Sequence, residues 1–380
     1  MRRGFKFKLK PKAVHRFLFV QFAGAVRWVF NRGLDQKQKS FEKTGKSPSY
    51  FEQNKELTLL KNQAETGWLG DIHSQVLQQS LKNLDRAFQN FFRKGKSSFG
   101  FPKFKKKGVK ESFRFPQGVK VEDKRVFLPK IGWVAFHKSR DIRGTIKETT
   151  ITQEGNNWFV SFSCEWEKPD RKPAPIDDNK AIGIDVGLSS FATTAAKAQN
   201  YREDIENPRF LITVLPRLRY LSRQLSKKVK RSKNSLKARL KLSKLHTRVK
   251  NLRHEFVHQL STKMIKNHDI FCIESLDISS LLRTAPKGMA RAISDAGWKS
   301  FLHCLKYKAD EEGKYLVEAG KYFPSSQICA SCHHQQPMPL SVRIYHCLNC
   351  GIKNDRDYNS ALVLKAAGMS ALKACGAALI

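Results

Sequence analysis

The stretch AIGIDVGLSS, Ala181 to Ser190, decides the fold of this chain because it places one carboxylate in an apolar strand flanked by glycine. The apolar residues share one face at the period of two that a strand imposes, and they are Ile182, Ile184 and Val186. Asp185 lies on the other face between Gly183 and Gly187, which offer no bulk to cover it. A buried carboxylate without a partner is costly, and a bound divalent cation would compensate for it. The alternative is that Asp185 caps a turn, since Asp-x-Gly sequences are common in loops.

Two further acids occupy comparable places in the sequence. Glu274 ends a short apolar run in DIFCIESLDI, and Asp355 or Asp357 lies in NDRDYNSALVL, where a helix is expected to begin. Three acids on separate elements can converge on metal, and carboxylate oxygens favour Mg²⁺ or Mn²⁺ over softer ions. The pattern therefore predicts a divalent-metal site built from Asp185, Glu274 and one of the two late aspartates.

The composition indicates a folded protein that binds a polyanion. The chain has 380 residues, of which 40% are hydrophobic and 11% aromatic, and its formal net charge is +38. This length allows two or three domains. So large a charge opposes a compact state unless a phosphate backbone neutralises it, and nucleic acid is therefore the expected partner.

A basic protein of the membrane surface is the rival class. It would need an amphipathic anchor or an apolar run of about 18 residues, and the sequence has no such run. The start, MRRGFKFKLK, alternates charged and aromatic residues and lacks the apolar core of a signal peptide. We expect a soluble cytoplasmic protein associated with the nucleoid of a prokaryote.

Two segments concentrate the positive charge. Arg93 to Lys110 holds eight Lys or Arg and no acid, with three phenylalanines interleaved, a composition that suits base stacking and phosphate contact. Arg217 to Arg253 holds fifteen Lys or Arg and no acid while keeping a helical leucine stripe, which predicts a pair of long helices with one basic side. A charge run is ordinarily just a solvated face, but such faces mix both signs. The residues predicted to contact the nucleic-acid backbone are Lys103, Lys105, Lys106, Arg223, Lys227, Lys228 and Arg231.

The periodicity predicts the elements of the first half of the chain. Residues 1–10 read as a strand, and residues from about Ala13 to Phe92 read as helices whose apolar stripes are assigned to core packing. The stripes comprise Phe17, Val20, Val26, Val29 and Phe30, then Leu57, Leu59 and Leu60, then Val76, Leu77, Leu81, Leu84, Phe88 and Phe91.

From Ser112 to Trp166 the period becomes two, which predicts a small antiparallel barrel or sandwich that the first strand completes. Its strands are expected at 112–115, 125–128, 131–136, 142–151 and 158–166. A linker rich in Pro and Asp follows at Lys168 to Lys180, and a new domain begins at Ala181. Within that domain, Ser294 or Asp295 is predicted to cap a helix that runs through Trp298.

Four of the eight cysteines form two C-x2-C pairs, Cys329 with Cys332 and Cys347 with Cys350, separated by fourteen residues. This spacing is typical of a four-thiolate zinc ribbon, and four thiolates leave no open position for water, so the zinc is structural. Asp357 follows Cys350 by seven residues and precedes an apolar helix. The ribbon is therefore inserted in the domain of the three acids and separates the third acid from the first two.

Taken in order along the chain, these segments resemble the TnpB proteins, transposon-encoded RNA-guided DNA nucleases related to the type V CRISPR effectors and the Fanzor proteins. The segments that carry the resemblance are AVRWVFN (Ala25 to Asn31), LQQSLKNLDRAFQNFFRK (Leu77 to Lys94), GFPKFK (Gly100 to Lys105), IGIDVGL (Ile182 to Leu188), the strand before Glu274, SDAGW (Ser294 to Trp298), YFPSSQICASC (Tyr322 to Cys332) and DRDYNSA (Asp355 to Ala361). Two positions depart from the family pattern: Asn354 stands where the family often has His, and Ser360 where it has Ala. Neither departure removes an acid.

The resemblance implies a multidomain α+β architecture. An RNase H-like (RuvC) α/β nuclease domain would carry the inserted zinc ribbon, and a small antiparallel β-barrel, the wedge, would carry an inserted α-helical recognition lobe. The implied boundaries are 1–12 for the wedge strand, 13–105 for the recognition lobe, 106–175 for the wedge barrel, 176–324 for the first part of the nuclease domain with the basic helical pair 217–266, 325–352 for the zinc ribbon and 353–380 for the end of the nuclease domain.

The resemblance also assigns roles to residues. Asp185, Glu274 and Asp357 would be the catalytic acids, because the family aspartate directly precedes x-N-A-A, and they would hold two Mg²⁺ or Mn²⁺ ions for phosphodiester hydrolysis. Base pairing with a guide RNA from the transposon end would select the target, while the protein, expected to be a monomer, reads a short motif in double-stranded DNA beside it. The residues expected to read that motif are Tyr50, Asn54, Ser74 and Gln78, since hydroxyl and amide groups suit base edges.

Three other classes fit parts of the sequence. A metal-dependent transposase also uses three acids, and it would transfer transposon ends without RNA. A Holliday-junction resolvase shares the fold but needs neither the recognition lobe nor so much basic surface. A non-cleaving RNA-guided repressor would have lost one of the acids, and none is missing here.

Overall fold

The computed structural model describes residues 2–93, 99–108, 111–167, 173–196, 201–230, 232–339 and 341–374. The chain divides into two compact units, Met1–Lys168 and Pro169–Ile380. Arg231, one of the residues predicted to contact nucleic acid, lies outside the described residues. Within the described ranges no helix has both the length and the apolar character needed to cross a membrane.

The first unit is built on an antiparallel sheet. Its strands are β1 (Arg2–Lys10), β2 (Ser112–Phe115), β3 (Lys120–Glu122), β4 (Arg125–Leu128), β5 (Gly132–Phe136), β6 (Thr145–Glu154) and β7 (Asn157–Glu165), and their order across the sheet is β2-β6-β7-β1-β5-β4-β3. β1 pairs with β7 on one side and β5 on the other, which confirms that the first strand joins the later ones. β6 begins after Gly144, whose φ of +79° marks a turn, rather than at Ile142 as predicted, and β3 was not predicted.

The helices α1 (Ala13–Thr44), α2 (Tyr50–Leu60) and α3 (Ser74–Phe92) lie between β1 and β2 in the sequence. Phe19 and Phe22 of α1 pack on Phe113 of β2, with ring centroids 5.9 and 5.3 Å apart. The prediction that Phe17 and Val20 belong to the core is wrong, because they are 64% and 52% exposed. The buried face of α1 runs through residues 19 and 22, and a step of two residues turns a helix by about 200°. Leu59 and Phe91, also assigned to the core, are exposed in the same way.

The second unit is built on a mixed sheet. Its strands are β8 (Ala181–Val186), β9 (Ser190–Ala196), β10 (Tyr201–Glu206), β11 (Ile270–Ile273) and β12 (Tyr315–Glu318), in the order β10-β9-β8-β11-β12. β8, β9 and β10 pair antiparallel, while β11 pairs parallel with both β8 and β12. The carboxyl ends of β8 and β11 therefore meet at one edge of the sheet.

Helices follow and cover this sheet: α4 (Phe210–Ser226), α5 (Lys233–Asn267), α6 (Ile278–Thr284), α7 (Lys287–Ala296), α8 (Trp298–Glu311) and α9 (Arg356–Ala374). α4 and α5 form the predicted basic pair, although Leu236 of the leucine stripe is exposed. A short ribbon of β13 (Ile344–His346) paired antiparallel with β14 (Lys353–Asp355) leads directly into α9.

The predicted helix cap at Ser294 or Asp295 is wrong. Both residues lie inside α7, and α8 starts after Gly297, whose φ of +75° only glycine adopts easily. The Asp295 carboxylate instead accepts the backbone N–H groups of Leu211 and Ile212 at the start of α4. It also pairs with Arg253 at 2.7 Å, so one buried acid joins α4, α5 and α7.

Candidate functional site

The first two predicted acids lie side by side at the edge where two parallel strands end. Ile184 of β8 is in register with Ile273 of β11, so the next residues along the two strands are Asp185 and Glu274. Neighbouring strands lie about 4.8 Å apart, which places these two side chains in one region. Both residues are partly buried.

α9 brings the third acid to the same edge. Asp357 lies in the first turn of α9, and α9 packs on β8, β9 and β11. The late aspartate left open by the sequence pattern, Asp355, has another task, because its carboxylate accepts the backbone N–H groups of Asp357 and Tyr358 and so begins the helix. Asp355 also lies 3.6 Å from the guanidinium of Arg202.

The three acids influence one another electrostatically. Burial raises the pKa of Asp185 to about 7, and the negative charges of Asp357 and Glu274 add to this effect. A hydrogen bond with Ser360 opposes the rise. Burial also raises the pKa of Glu274. A half-buried cluster of like charges is an unfavourable arrangement that a divalent cation would relieve, so the residues present fit such an ion.

The acids are spread more widely than the ligands of one compact ion. Among the described residues, the group of potential ligands whose atoms all lie within 4.8 Å of one another is the four cysteines, and the three acids do not form such a group. A cavity of about 320 Å³ opens beside Glu274 and is also lined by Ser275, Lys299 and Leu302. The site thus combines separated carboxylates with open space next to one of them.

The four cysteines converge as their spacing predicts. The Sγ atoms of Cys329 and Cys350 lie 3.6 Å apart, and those of Cys332 and Cys347 lie 3.5 Å apart. In each C-x2-C turn a backbone N–H points at the first sulfur, from Ser331 to Cys329 at 3.4 Å and from Cys350 to Cys347 at 3.5 Å. Hydrogen bonding from the backbone of His334 lowers the pKa of Cys332 to about 6. The set fits a tetrahedral zinc ion bound by four thiolates.

The residues predicted to contact the nucleic-acid backbone are exposed wherever the structure describes them. In the first unit these are Lys103, Lys105 and Lys106, and in the second unit Arg223, Lys227 and Lys228. Lys105 is held in place, since its Nζ lies 3.9 Å from the centre of the Phe30 ring and its backbone exchanges hydrogen bonds with the Asn31 amide. All three interleaved phenylalanines, Phe99, Phe101 and Phe104, are exposed, and Phe101 also packs its ring edge to face on Phe88 and Phe91 of α3.

The four residues expected to read a DNA motif lie on α2 and α3, two antiparallel helices that meet along a seam. Tyr50 and Asn54 are one turn apart on α2, and Ser74 and Gln78 are one turn apart on α3. The ends of the seam are joined by Lys82, whose Nζ lies 5.7 Å from the Tyr50 ring centre, and by Lys61, which donates to the Ser74 hydroxyl at 2.7 Å. Burial raises the pKa of Tyr50. Tyr50 and Ser74 therefore lie at the seam, and the reading of a DNA motif by the four residues stays a prediction.

Sequence reasoning did not assign roles to Asn359 or Ser360, and it missed the role of Asp295 in joining three helices. Asn359 is fully buried and bonds both sides of Cys329, and the Ser360 hydroxyl bonds that of Ser325 and lowers the pKa of Asp185. The sequence did contain a signal for Asn359 and Ser360: in DYNS, residues 357–360, an amide and a hydroxyl follow Asp357 at the start of a helix that is otherwise mostly apolar. For Asp295 the signal was an acid two residues before a glycine that ends a helix.

Three parts of the chain match family models. Residues 161–285 match a family described as "Probable transposase", residues 298–364 match "Cas12f1-like, TNB domain", and residues 1–46 match "Helix-turn-helix domain". In the structure, the segment matched by the helix-turn-helix model, residues 1–46, consists of β1 followed by one continuous helix, α1.

Relatives align over nearly the whole chain. A protein of Escherichia coli (strain K12) named "Putative RNA-guided DNA endonuclease InsQ" is 35% identical, over 98% of this chain and 94% of its own. A Streptomyces pristinaespiralis protein with the same description is 33% identical, over 99% of this chain and 91% of its own. A solved Cas12f1-sgRNA-target DNA complex aligns with 96% of this chain and 99% of its own, at 16% identity and a TM-score of 0.38.

Proposed function

This chain belongs to the TnpB family, and we propose that it is an RNA-guided endonuclease that cleaves DNA. The observation that carries the proposal is the meeting of Asp185, Glu274 and Asp357 at one sheet edge, where their charges act on one another. The relatives named as RNA-guided DNA endonucleases align with the region of all three acids, because the alignments span nearly the entire chain.

In this proposal the second unit is a RuvC-like nuclease domain of the RNase H type. The strand order β10-β9-β8-β11-β12 supports it, as does the placement of the acids on β8, just after β11 and on α9. Residues 325–352 would be its zinc ribbon. The sheet of the first unit would be the wedge, and α1 to α3 would be the recognition lobe.

The three carboxylates would hold Mg²⁺ or Mn²⁺, which supplies Lewis-acid stabilisation of the phosphoryl group and lowers the pKa of a bound water. The chain's own residues prepare the site. The Ser360 hydroxyl lowers the pKa of Asp185 against the effect of burial, and the Arg356 guanidinium lies 3.5 Å from Asp357. The cavity beside Glu274 offers room for the nucleotide at the cut, and Lys299 on its wall would face the phosphate backbone.

Guide RNA and duplex DNA would be the partners. The net charge of +38 suits a protein that holds two polyanions, and the exposed cations of α4 and α5 would contact their backbones. Base pairing would select the target, and the seam of α2 and α3 would read a short motif beside it.

The test begins with protein purified from cells that carry its native locus. RNA that copurifies is sequenced, and DNA complementary to it is offered with Mg²⁺, with Mn²⁺ or with EDTA. Cleavage that needs both a divalent cation and the copurified RNA supports the proposal. Asp185→Ala should retain RNA and DNA binding and lose cleavage.

Cleavage by Asp185→Ala would refute the assignment of the acids. Joining of transposon ends in the absence of RNA would instead favour a transposase. Stable RNA-dependent DNA binding without cleavage by the wild-type protein would favour a non-cleaving repressor.

A further inference from the structure

The zinc ribbon and the first turn of α9 are joined through a single buried amide. Asn359 has no exposed surface. Its Nδ2 donates to the backbone carbonyl of Ile328 at 2.7 Å, and its Oδ1 accepts the backbone N–H of Ala330 at 3.0 Å. Ile328 and Ala330 are the two neighbours of Cys329. The Asn359 amide therefore clamps the backbone on both sides of a zinc-ligand cysteine.

The same helical turn carries the third acid. Asp357 lies two residues before Asn359, and Ser360, which lies close enough to Asp185 to affect its pKa, lies one residue after it. The Ser360 hydroxyl lies 2.9 Å from the hydroxyl of Ser325, which belongs to the segment that leads into the first cysteine pair. One turn of α9 thus carries Asp357, lies close to Asp185 and bonds the cysteine knuckle.

A further backbone bond extends the connection to the segment between the two cysteine pairs. The backbone N–H of Arg356 donates to the carbonyl of Arg343 at 2.8 Å, and its guanidinium donates to the carbonyl of Val342 at 3.2 Å. β13 also pairs with β14, whose last residue directly precedes α9. The start of α9 is therefore bonded to the segment between the two cysteine pairs as well as to the segment around Cys329.

We propose that Asn359 is a positioning residue that couples zinc at the four cysteines to the binding of the divalent cation by Asp185, Glu274 and Asp357. This inference rests on the proposed function for the identity of the acid site. The ribbon has only a small apolar core, made of Cys329, Tyr345 and Cys347 with partly buried neighbours, so metal binding must supply much of its order.

The physical cause of the coupling is the buried amide itself. If the knuckle around Cys329 relaxes when zinc leaves, the Asn359 amide loses both partners in a place that water does not reach. A buried polar group without a partner is costly, and the turn that carries Asp357 lowers this cost by moving with the knuckle. Removing a residue that hydrogen-bonds to a metal ligand typically weakens metal binding by about 10-fold to 100-fold.

Gln336 provides a matched control. It is also a buried amide, its Nε2 donates to the carbonyl of His346 at 2.8 Å, and its Oε1 accepts the N–H of Leu348 at 2.9 Å. It therefore clamps the two neighbours of Cys347 in the way that Asn359 clamps those of Cys329. Gln336, however, belongs to the ribbon and not to α9.

The experiment measures Mn²⁺ affinity by titration calorimetry on full-length wild type, Asn359→Ala and Gln336→Ala, each with zinc and after selective zinc chelation. Zinc content is measured by mass spectrometry and folding by circular dichroism. In the wild type and in Gln336→Ala, zinc removal should weaken Mn²⁺ binding by about 10-fold or more. In zinc-loaded Asn359→Ala, Mn²⁺ should already bind about 10-fold more weakly, and zinc removal should add little.

Equal Mn²⁺ affinity of wild type and Asn359→Ala at full zinc would overturn the inference. If Asn359→Ala fails to fold or to retain zinc, the test is the Mn²⁺ affinity of the wild type with zinc and after zinc removal. An affinity that does not change on zinc removal overturns the inference as well. The result is independent of cleavage. A protein that shows the coupling but cuts no guided DNA would refute the proposed function and leave this inference standing.

Discussion

Gly183 of β8 lies directly beneath the backbone carbonyl of Ala361 in α9: a Cβ built on Gly183 would stand 1.7 Å from that oxygen. The same hypothetical atom would also lie 2.9 Å from the backbone nitrogen of Lys365. These neighbours are backbone atoms that cannot turn aside, so α9 can reach its place over the sheet only because residue 183 has no side chain. This contact sets the distance between the strand of Asp185 and the helix of Asp357.

We expect Gly183→Ala to push α9 from the sheet. Overpacking of this kind lowers the free energy of unfolding by about 1–3 kcal/mol. The displacement of Asp357 should also slow guided cleavage, by a factor that corresponds to at least the same free energy. Urea denaturation and a guided-cleavage assay measure both effects. The control is Gly288→Ala in α7, where the added Cβ meets nothing within 4 Å. A Gly183→Ala protein that unfolds and cuts like the wild type would show that α9 is not confined in this way.

Asp185→Asn should stabilise the metal-free protein at high pH. The pKa of Asp185 is raised to about 7 in the folded chain, so the folded state binds a proton more tightly than the unfolded state. The stability from this proton is present at low pH and is lost as the pH rises from about 4 to about 7. Asn resembles the neutral acid at every pH, so the variant should gain about 1–3 kcal/mol over the wild type at pH 8 and less at pH 5.

Thermal denaturation in EDTA at pH 5 and pH 8 measures this difference. Adding Mg²⁺ at pH 8 should raise the melting temperature of the wild type and leave that of Asp185→Asn unchanged, because only the folded wild type binds the ion. If Asp185→Asn is less stable than the wild type at pH 8 in EDTA, the negative charge of Asp185 is not made unfavourable by burial and by the neighbouring acids, and the prediction is wrong.

Asp295→Ala should be strongly destabilising. The change removes the acceptor of the Leu211 N–H and leaves the Arg253 guanidinium without its 2.7 Å partner. Breaking a buried ion pair by removing one member typically costs about 3–5 kcal/mol. Chemical denaturation measures the loss. Glu122→Ala is the comparison, since its pair with Arg125 is exposed and such pairs contribute less than about 1 kcal/mol.

Replacing Arg223, Lys227 and Lys228 together by Ala should weaken RNA binding and flatten its dependence on salt. Each lost phosphate contact reduces the slope of log affinity against log salt by about 0.7–0.9. Filter binding between low and moderate salt should therefore show a slope lower by about 2. An unchanged slope would place these three exposed side chains away from the phosphate backbone.

Gln78→Ala should change the preference for the DNA motif beside the target in a plasmid-depletion assay. The loss of one good base contact changes discrimination by about 1–3 kcal/mol, which is a large change in the ranking of motifs. Gln79→Ala is the control, because Gln79 bonds Asn83 within α3. If both variants keep the wild-type preference, Gln78 does not read the motif.

The sequence by itself singled out the residues that we propose carry the chemistry. An acid in an apolar strand is unfavourable in isolation, two C-x2-C pairs have few uses besides metal, and fifteen like charges in one helical segment need a counter-charge. Strands with a period of two were also predictable, because one side of a sheet is buried and the other is solvated. These properties are local, and they can be read without coordinates.

Only the tertiary structure decided which partners those residues have. The apolar stripe of α1 did not reveal that Phe17 and Val20 face outward, because the burial of a helix face depends on where the sheet lies and not on the helix. Asp295 looked like a local cap and is instead an acceptor for a helix more than eighty residues earlier in the chain. The close approach of α9 to β8 depends on a missing side chain at Gly183, and the Asn359 amide bonds the segment around Cys329, thirty residues earlier. Contacts between such distant segments leave no periodic signal in sequence.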